Sequence, residues 1–537
     1  MSKKMFVPEL FRPPVEFPDV PYDHLLRKAA EANPDRMAIV YHDLMLTYRE
    51  VLGMVNCIAN GLYTLGLRKG DRLCLFTTNR PEYTITFIAA ASIGVVVSPM
   101  NPSYKEREVS YQLENSESQA LLIQKELVPT FNLALAHQEL PNLKHIIVTG
   151  DAAPEELSQA IPFAQLLRRS SPKSPPVVDI HSNDLLALPY SSGTTGLPKG
   201  TMLTHRNLVV NNLQFTTALG TNLTDVALLF LPFYHIYGVM LTGSFLACGA
   251  TQVMMERFDL LQSLELSEKY KVTFYFAVPP IILALVNAPV DLSKLKTVRY
   301  IFSGAAPLPI DPARRLQEKI DTLVIQGYGL TEASPLTHSQ PRDPDLIRLN
   351  SIGLPVHNTE QKIVDVETGT RELPVGESGE LLVRGEQVMQ GYLKAPEETA
   401  RALQDGWLHT GDIGYVDEDG YTYIVDRKKE MIKYNGFGIA PAEIEALLLE
   451  HPSVIDAAVI GVPDEAAGEI IKGFVVLRKG DSITPEEILV FSNGKLSGYK
   501  RVHLIEIIDV IPKTASGKIL RRNLKEREKA LRDAKAE

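Results

Sequence analysis

The run Tyr190-Ser191-Ser192-Gly193-Thr194-Thr195-Gly196-Leu197-Pro198-Lys199-Gly200 is nearly all glycine and hydroxyl, with one lysine, and directly follows an apolar stretch. Such a loop can wrap phosphates, because glycine lets backbone N–H groups approach closely while hydroxyls and an ammonium add donors. The P-loop pattern G-x-x-x-x-G-K-[ST] is not met, since Pro198 precedes Lys199 and Gly200 follows it. A run of this composition also suits a linker, but its place after a predicted strand and its Pro-Lys-Gly ending favour phosphate. Other reactive side chains stand in less telling surroundings. His235, between Tyr234 and Ile236, reads on its own as a packed core histidine. Glu332 reads as a surface carboxylate, Lys518 as a turn lysine, and Asp412 with Arg427 as an ion pair. Cys57, Cys74 and Cys248 fit neither a disulfide framework nor a C-x-x-C metal site, which points to a reducing compartment.

The loop needs a scaffold, and 537 residues suffice for roughly three or four domain-sized units. With 45% hydrophobic and 22% charged residues, disorder, collagen-like repetition and coiled coil are disfavoured. A net charge of −10 offers no basic face to nucleic acid. The first 18 residues mix Lys3, Lys4, Glu9 and Arg12 with prolines and lack the apolar stretch of a signal peptide. The most apolar run, 85–97, is too short to cross a bilayer, and the terminal Lys-Ala-Glu is no peroxisomal address, so a cytoplasmic protein without a membrane span is expected.

From about 70 to 330, apolar β-rich runs alternate with helical periods: 71–77 with 82–93, 185–189 with 205–218, and 226–231 with 239–248. Further strands are expected at 272–278, 298–302 and 323–326, each nearly continuously apolar, as in parallel sheets buried on both faces. This predicts an α/β, doubly wound class. After about 350 shorter strands at 361–366 and 379–384, broken by Gly and Pro, predict a small β subdomain to about 425. Asp417-Glu418-Asp419-Gly420 invites a calcium-loop reading. Tyr415 and Asp426 at the first and last ligand positions do not suit it, and a hairpin turn is expected. A charge-dense hinge at 426–429 leads to a βαβ-type unit over 430–537 that ends in a charged helix from about 519.

At this point the sequence resembles the adenylate-forming acyl-CoA synthetases, whose members include fatty-acyl-CoA ligases, 4-coumarate CoA ligases and firefly luciferase. The resemblance spans about 25–525 and rests on an ordered set of motifs. These are Tyr190 to Gly200, Pro232-Phe233-Tyr234-His235-Ile236-Tyr237-Gly238, Ser303-Gly304-Ala305-Ala306-Pro307 and Gln326-Gly327-Tyr328-Gly329-Leu330-Thr331-Glu332. They continue with Trp407-Leu408-His409-Thr410-Gly411-Asp412, Asp426-Arg427 and Pro512-Lys513-Thr514-Ala515-Ser516-Gly517-Lys518.

The resemblance implies a large N-terminal domain, 1–425, of two doubly wound βα subdomains plus a small β-barrel-like one, and a small mobile α+β C-terminal domain carrying the catalytic lysine. It implies ATP and CoA as co-substrates with Mg²⁺. Ser191, Ser192, Gly193, Thr194, Thr195 and Lys199 would hold the β- and γ-phosphates, and Lys518 would reach the α-phosphate and the acid's carboxylate. Glu332, with Thr194, would bind the metal, as a hard cation wants oxygen ligands. Asp412 and Arg427 would hold the ribose, and Gly304, Ala305, Gln326, Gly327, Tyr328 and Thr331 the rest of the AMP. His235 would gate an acyl pocket walled by Tyr237, Val278, Gly304, Gly329 and Pro335. Lys429 matches the family's hinge, about which rotation would bring Lys433, Asn435, Gly436 and Phe437 to a CoA tunnel, with Arg257 or Lys500 as further cations.

The segment Lys433-Tyr434-Asn435-Gly436-Phe437-Gly438 departs from the Lys-Tyr-Lys-Gly-Phe/Tyr-Gln form of the plant ligases and luciferase, losing a cation and an amide. The expected activity is an AMP-forming acid:CoA ligase acting on a medium- to long-chain fatty acid, since the pocket candidates show nothing polar. The alternatives are an aryl or cinnamate CoA ligase, an adenylating enzyme with an amine or carrier-protein acceptor, and a binding protein without turnover.

Overall fold

The computed structural model describes residues 13–536 except 192–197, 309, 436, 465–466, 497 and 515–516. The apolar runs form two large sheets. In the first, Leu185–Ala187, Val96–Met100, Arg72–Phe76, Ala120–Ile123, His145–Val148 and Ile161–Pro162 lie parallel in that order. Lys199–Thr204 joins its edge antiparallel and in turn pairs with the distant Gly391–Tyr392.

In the second sheet Leu323–Gly329, Tyr300–Ser303, Phe274–Ala277, Val226–Leu229, Thr251–Met254 and Met37–Tyr41 run parallel. Antiparallel edges, Leu336–Ser339 with Leu354–Pro355 and Leu44–Thr47, close the two sides. Phe274–Ala277 and Tyr300–Ser303 are buried at every position, as helices on both faces demand. The edge pair 37–47 comes from before the stretch whose alternation pointed to a sheet, so chain order and sheet order part company here.

The β subdomain is antiparallel: Glu360–Val364, Gly379–Arg384 and Trp407–Val416 in turn, with Leu403–Gln404 and Thr422–Arg427 on the last. The acidic turn at 417–420 is a hairpin in which Tyr415 and Tyr423 stack at 4.8 Å. Arg348 clamps its Asp417 and Asp419, each at 2.5 Å, so the two carboxylates serve a structural ion pair.

Beyond the turn at 428–430, Val454–Asp464 and Gly468–Leu477 make a long antiparallel hairpin, and Leu504–Ile507 returns parallel to it after helix Pro485–Asn493. The short hairpin Ile432–Tyr434 and Phe437–Ile439 flanks them, and helix Arg521–Ala536 ends the described chain. One apolar cluster runs through residues from Tyr22 to Val416, while two others lie wholly between Ile432 and Leu524. No helix among the described residues is long and apolar enough to cross a membrane.

Candidate active site

His235 caps helix Ile236–Ala247, its Nδ1 accepting from the Tyr237 amide at 3.3 Å. That helix is apolar all round and buried, which fixes the ring at the mouth of a cavity. Desolvation and the nearby Lys518 ammonium push His235 down to about 4, so it is neutral at physiological pH. The cavity, about 50 Å³, is lined by His235, Tyr237, Met240, Phe302, Gly304, Ala305, Gly327, Tyr328, Gly329, Thr331 and Pro335 among others. Residues assigned above to nucleotide and to acid therefore share one space. The residue Tyr237 lines it, and its hydroxyl is buried without a hydrogen-bond partner.

Two of the expected pocket walls behave differently. Val278 does not line this cavity; its Cγ2 lies 3.5 Å from where a Cβ on Gly517 would stand. Gly329 lacks a side chain for the sake of the backbone, because a Cβ there would meet the Pro335 carbonyl at 2.0 Å, in the tight pairing of 323–329 with 336–339. Its backbone lines the cavity all the same, as expected of a pocket wall. A Cβ on Gly304 would instead touch the Tyr237 ring at an ordinary 3.4 Å.

Tyr328 donates its hydroxyl to Asp412 at 2.5 Å, and Arg427 reaches the other oxygen of that carboxylate at 3.3 Å. Pairing of Trp407–Val416 with Thr422–Arg427 places Asp412 opposite Arg427. Burial lifts the Asp412 carboxyl above its usual value, opposed by Arg427 and by the tyrosine donor. Gln326 is occupied structurally, accepting from the Leu308 amide and donating to the Ser351 carbonyl.

Lys518 enters from the C-terminal unit on a turn in which the Gly517 amide donates to the Thr514 carbonyl and Gly517 holds φ 80°. A side chain at Gly517 would stand 2.9 Å from Pro280, so glycine is needed where this turn abuts the large domain. Burial first, then Arg427, lower the Lys518 ammonium below the ordinary lysine value, with Glu430 and Asp412 opposing. Lys429 lies in the turn after strand Thr422–Arg427, beside Lys428, whose ammonium meets Glu380 at 3.0 Å. Arg521 ties Glu430 to Glu445 just beyond.

Of the glycine–hydroxyl loop, Ser192, Gly193, Thr194 and Thr195 lie outside the described residues. Its stem is described: Lys199 pairs with Ser191 and Gly200 with Tyr190, and the Tyr190 hydroxyl is tied to Asn115 at 2.6 Å. Lys199 lies 5.7 Å above the Tyr392 ring and 3.2 Å from Glu398. The Tyr392 hydroxyl donates to Glu332 at 2.8 Å. Tyr392 and Glu398 escaped the sequence reading; the aromatic and acidic residues either side of Pro396 were the available signal.

Among the described residues no three or more His, Cys, Asp or Glu side chains gather to hold a metal. A single carboxylate such as Glu332, held by the Tyr392 hydroxyl, still fits Mg²⁺, which keeps several waters and takes one or two carboxylates plus phosphate oxygens.

The positions expected to face CoA lie elsewhere. Gly436 is outside the described residues. Lys433 and Asn435 are exposed on the hairpin, whose bonds run to Glu469 and Ala467 of the same unit. Asn435 has φ 48° in the two-residue Asn-Gly turn, a conformation that asparagine tolerates and lysine does not favour. Lys500 is engaged by Glu443 at 2.7 Å. Arg257 is exposed on a separate cavity of about 590 Å³, shared with His42, Glu256 and Phe258.

Comparisons with known proteins agree with this layout. The chain matches the AMP-binding enzyme family over residues 26–393 and the AMP-binding enzyme C-terminal domain over 443–518. It is 42% identical over 494 residues to 4-coumarate–CoA ligase 1 of Petroselinum crispum, covering 90% of this chain and 89% of that one. It is 40% identical to 4-coumarate-CoA ligase 1 of Narcissus pseudonarcissus, covering 90% and 88%. Among solved structures, the anthranilate CoA ligase AuaEII in complex with anthranoyl-AMP superposes with a TM-score of 0.89 at 28% identity, over 96% of this chain and 98% of that one. ATP-bound MatB from Rhodopseudomonas palustris gives 0.87 at 28%, over 95% and 100%.

Proposed function

This chain belongs to the AMP-binding enzyme family, and from that premise we propose that it is an AMP-forming acid:CoA ligase whose acid is a flat aryl-propenoate of the 4-coumarate type. The observation that carries the choice of acid is the 42% identity, over 90% of this chain, to 4-coumarate–CoA ligase 1 of Petroselinum crispum; the rings of Tyr237 and Phe302, which wall the cavity beside His235, suit an aromatic acid. The expectation of a medium- to long-chain fatty acid, and with it a place in lipid metabolism, gives way to this alternative. The relatives matched over nine-tenths of the chain are 4-coumarate ligases.

A carboxylate is a poor acyl donor because its oxygen is a bad leaving group. Joining it to the α-phosphate of ATP, with loss of pyrophosphate, creates an acyl-adenylate, from which a thiol displaces AMP. Lys518, poised near Asp412, Arg427 and His235, would neutralise charge growing between carboxylate and α-phosphate. Asp412, held by Arg427 and Tyr328, would accept from the ribose hydroxyls. The stem that presents Lys199 would carry the polyphosphate, and Glu332 the Mg²⁺ that screens it. Neutral His235, capping its helix, would wall the acyl pocket.

For the second step the C-terminal unit would turn about 426–429, withdrawing Lys518 and bringing forward the Lys433 hairpin. The φ of Asn435 gives a local reason for that residue, so the departure there no longer favours an amine or carrier-protein acceptor over CoA.

The test is a kcat/KM series with cinnamate, 4-coumarate, octanoate and palmitate. The two aryl acids are expected to exceed both fatty acids by at least about tenfold. Tyr237→Phe should lower kcat/KM for 4-coumarate about five- to thirtyfold, the range for a buried hydroxyl bond of roughly 1–2 kcal/mol, while cinnamate stays within about twofold. A palmitate preference, or an equal loss on both aryl acids, contradicts the assignment.

A further inference from the structure

Lys199 and Glu398 are about two hundred residues apart in sequence, yet the fold is arranged to join them. Strand Lys199–Thr204 pairs antiparallel with Gly391–Tyr392, and the Leu393 amide donates to the Gly200 carbonyl at 2.8 Å. The chain then turns into helix Pro396–Ala402, where the Thr399 hydroxyl accepts from the Tyr392 amide at 2.8 Å. This packing sets the Glu398 carboxylate 3.2 Å from the Lys199 ammonium and the Tyr392 ring beneath it. Tyr392 continues the chain to Glu332 at 2.8 Å. The side chains of Lys199 and Glu398 are 26% and 37% exposed, so the pair can exchange with a solute anion.

We propose that Glu398 is an internal anion that competes with the terminal phosphates of ATP, and with pyrophosphate, for Lys199, and so weakens both ligands at this site. The inference rests on the reading of Lys199 as a polyphosphate ligand. Without nucleotide, Glu398 neutralises the lysine. When a polyphosphate arrives, Lys199 must change partner, and the displaced carboxylate then faces a highly charged anion at short range. The loss in affinity is modest, because an exposed pair is worth little, but it acts on substrate and leaving group alike. The device trades ATP affinity for release of pyrophosphate, and Glu398 is a positioning residue that touches neither reacting atom.

The experiment measures steady-state kinetics with Mg·ATP varied, and pyrophosphate inhibition, for wild type, Glu398→Gln, Glu398→Asp and Lys199→Met. Glu398→Gln is expected to lower the KM for ATP and the inhibition constant of pyrophosphate together, each about two- to fivefold, with the KM for the acid unchanged. Glu398→Asp, which keeps the charge, should stay near wild type, and the gap between Gln and wild type should narrow as salt rises. Lys199→Met should raise the KM for ATP. A KM for ATP that rises or stays fixed in Glu398→Gln, while Lys199→Met raises it, overturns the inference and leaves the phosphate reading of Lys199 intact. A KM for ATP unaffected by Lys199→Met removes that reading and the inference with it.

Discussion

Replacing Lys518 by alanine is expected to slow formation of acyl-adenylate from acid and ATP by about 10²–10³-fold, the usual cost of one preorganised charge at a reacting centre. Transfer from preformed acyl-adenylate to CoA should stay within about threefold of wild type. The asymmetry follows from placement: Lys518 sits among Asp412, Arg427 and His235, whereas the Lys433 and Asn435 amides of the hairpin bond to Glu469 and Ala467 of their own unit. Gly517→Ala should damage the same half-reaction more mildly, because φ 80° and Pro280 at 2.9 Å forbid a side chain where the turn meets the large domain. Equal losses in both half-reactions would mean that Lys518 supports the fold. The pH profile carries the same sign. Burial and Arg427 depress the Lys518 ammonium, so adenylation should fade on the alkaline side before the ordinary lysine range is reached. In Arg427→Gln, loss of that neighbouring cation should move the limb upward.

Asp412→Ala is expected to be the most costly single change to nucleotide binding. It strips a 5% exposed carboxylate from between the Tyr328 hydroxyl and an Arg427 side chain that is 43% exposed. Breaking a buried pair costs several kcal/mol; the partial exposure of Arg427 brings this to about 2–3 kcal/mol, seen as a lower Tm. If the carboxylate also accepts from ribose, the KM for ATP rises about tenfold or more, and Asp412→Asn, which still accepts from Tyr328, recovers Tm more than affinity. A lower Tm with the KM for ATP unchanged would reduce Asp412 and Arg427 to a structural ion pair.

Several parts of this site were legible from residue type alone. The Tyr190 to Gly200 run suggested phosphate binding through its composition, and Asp417 to Gly420 showed a hairpin because Asp-Gly between alternating aromatics has few other uses. The buried parallel strands announced themselves as unbroken apolar runs. Long-range placement was not legible. Nothing in periodicity says that 391–392 pairs with 199–204, so Tyr392 and Glu398 stayed hidden beside Lys199. The strands at 37–47 carry no mark of which sheet they will join. Gly329 was legible as glycine but not for its reason, since the carbonyl it must clear belongs to a neighbouring strand. Asn435 was visible as a departure, and only its φ of 48° explains it.

The central claim is that one site activates an aryl acid with ATP and hands it to CoA. It is tested most directly by mass spectrometry of products from 4-coumarate, ATP and Mg²⁺, with and without CoA. The account predicts 4-coumaroyl-AMP without CoA, and its replacement by 4-coumaroyl-CoA and AMP when CoA is added. Coumaroyl-AMP that persists in the presence of CoA would contradict the acceptor, and its absence beside an abundant palmitoyl-AMP would contradict the acid.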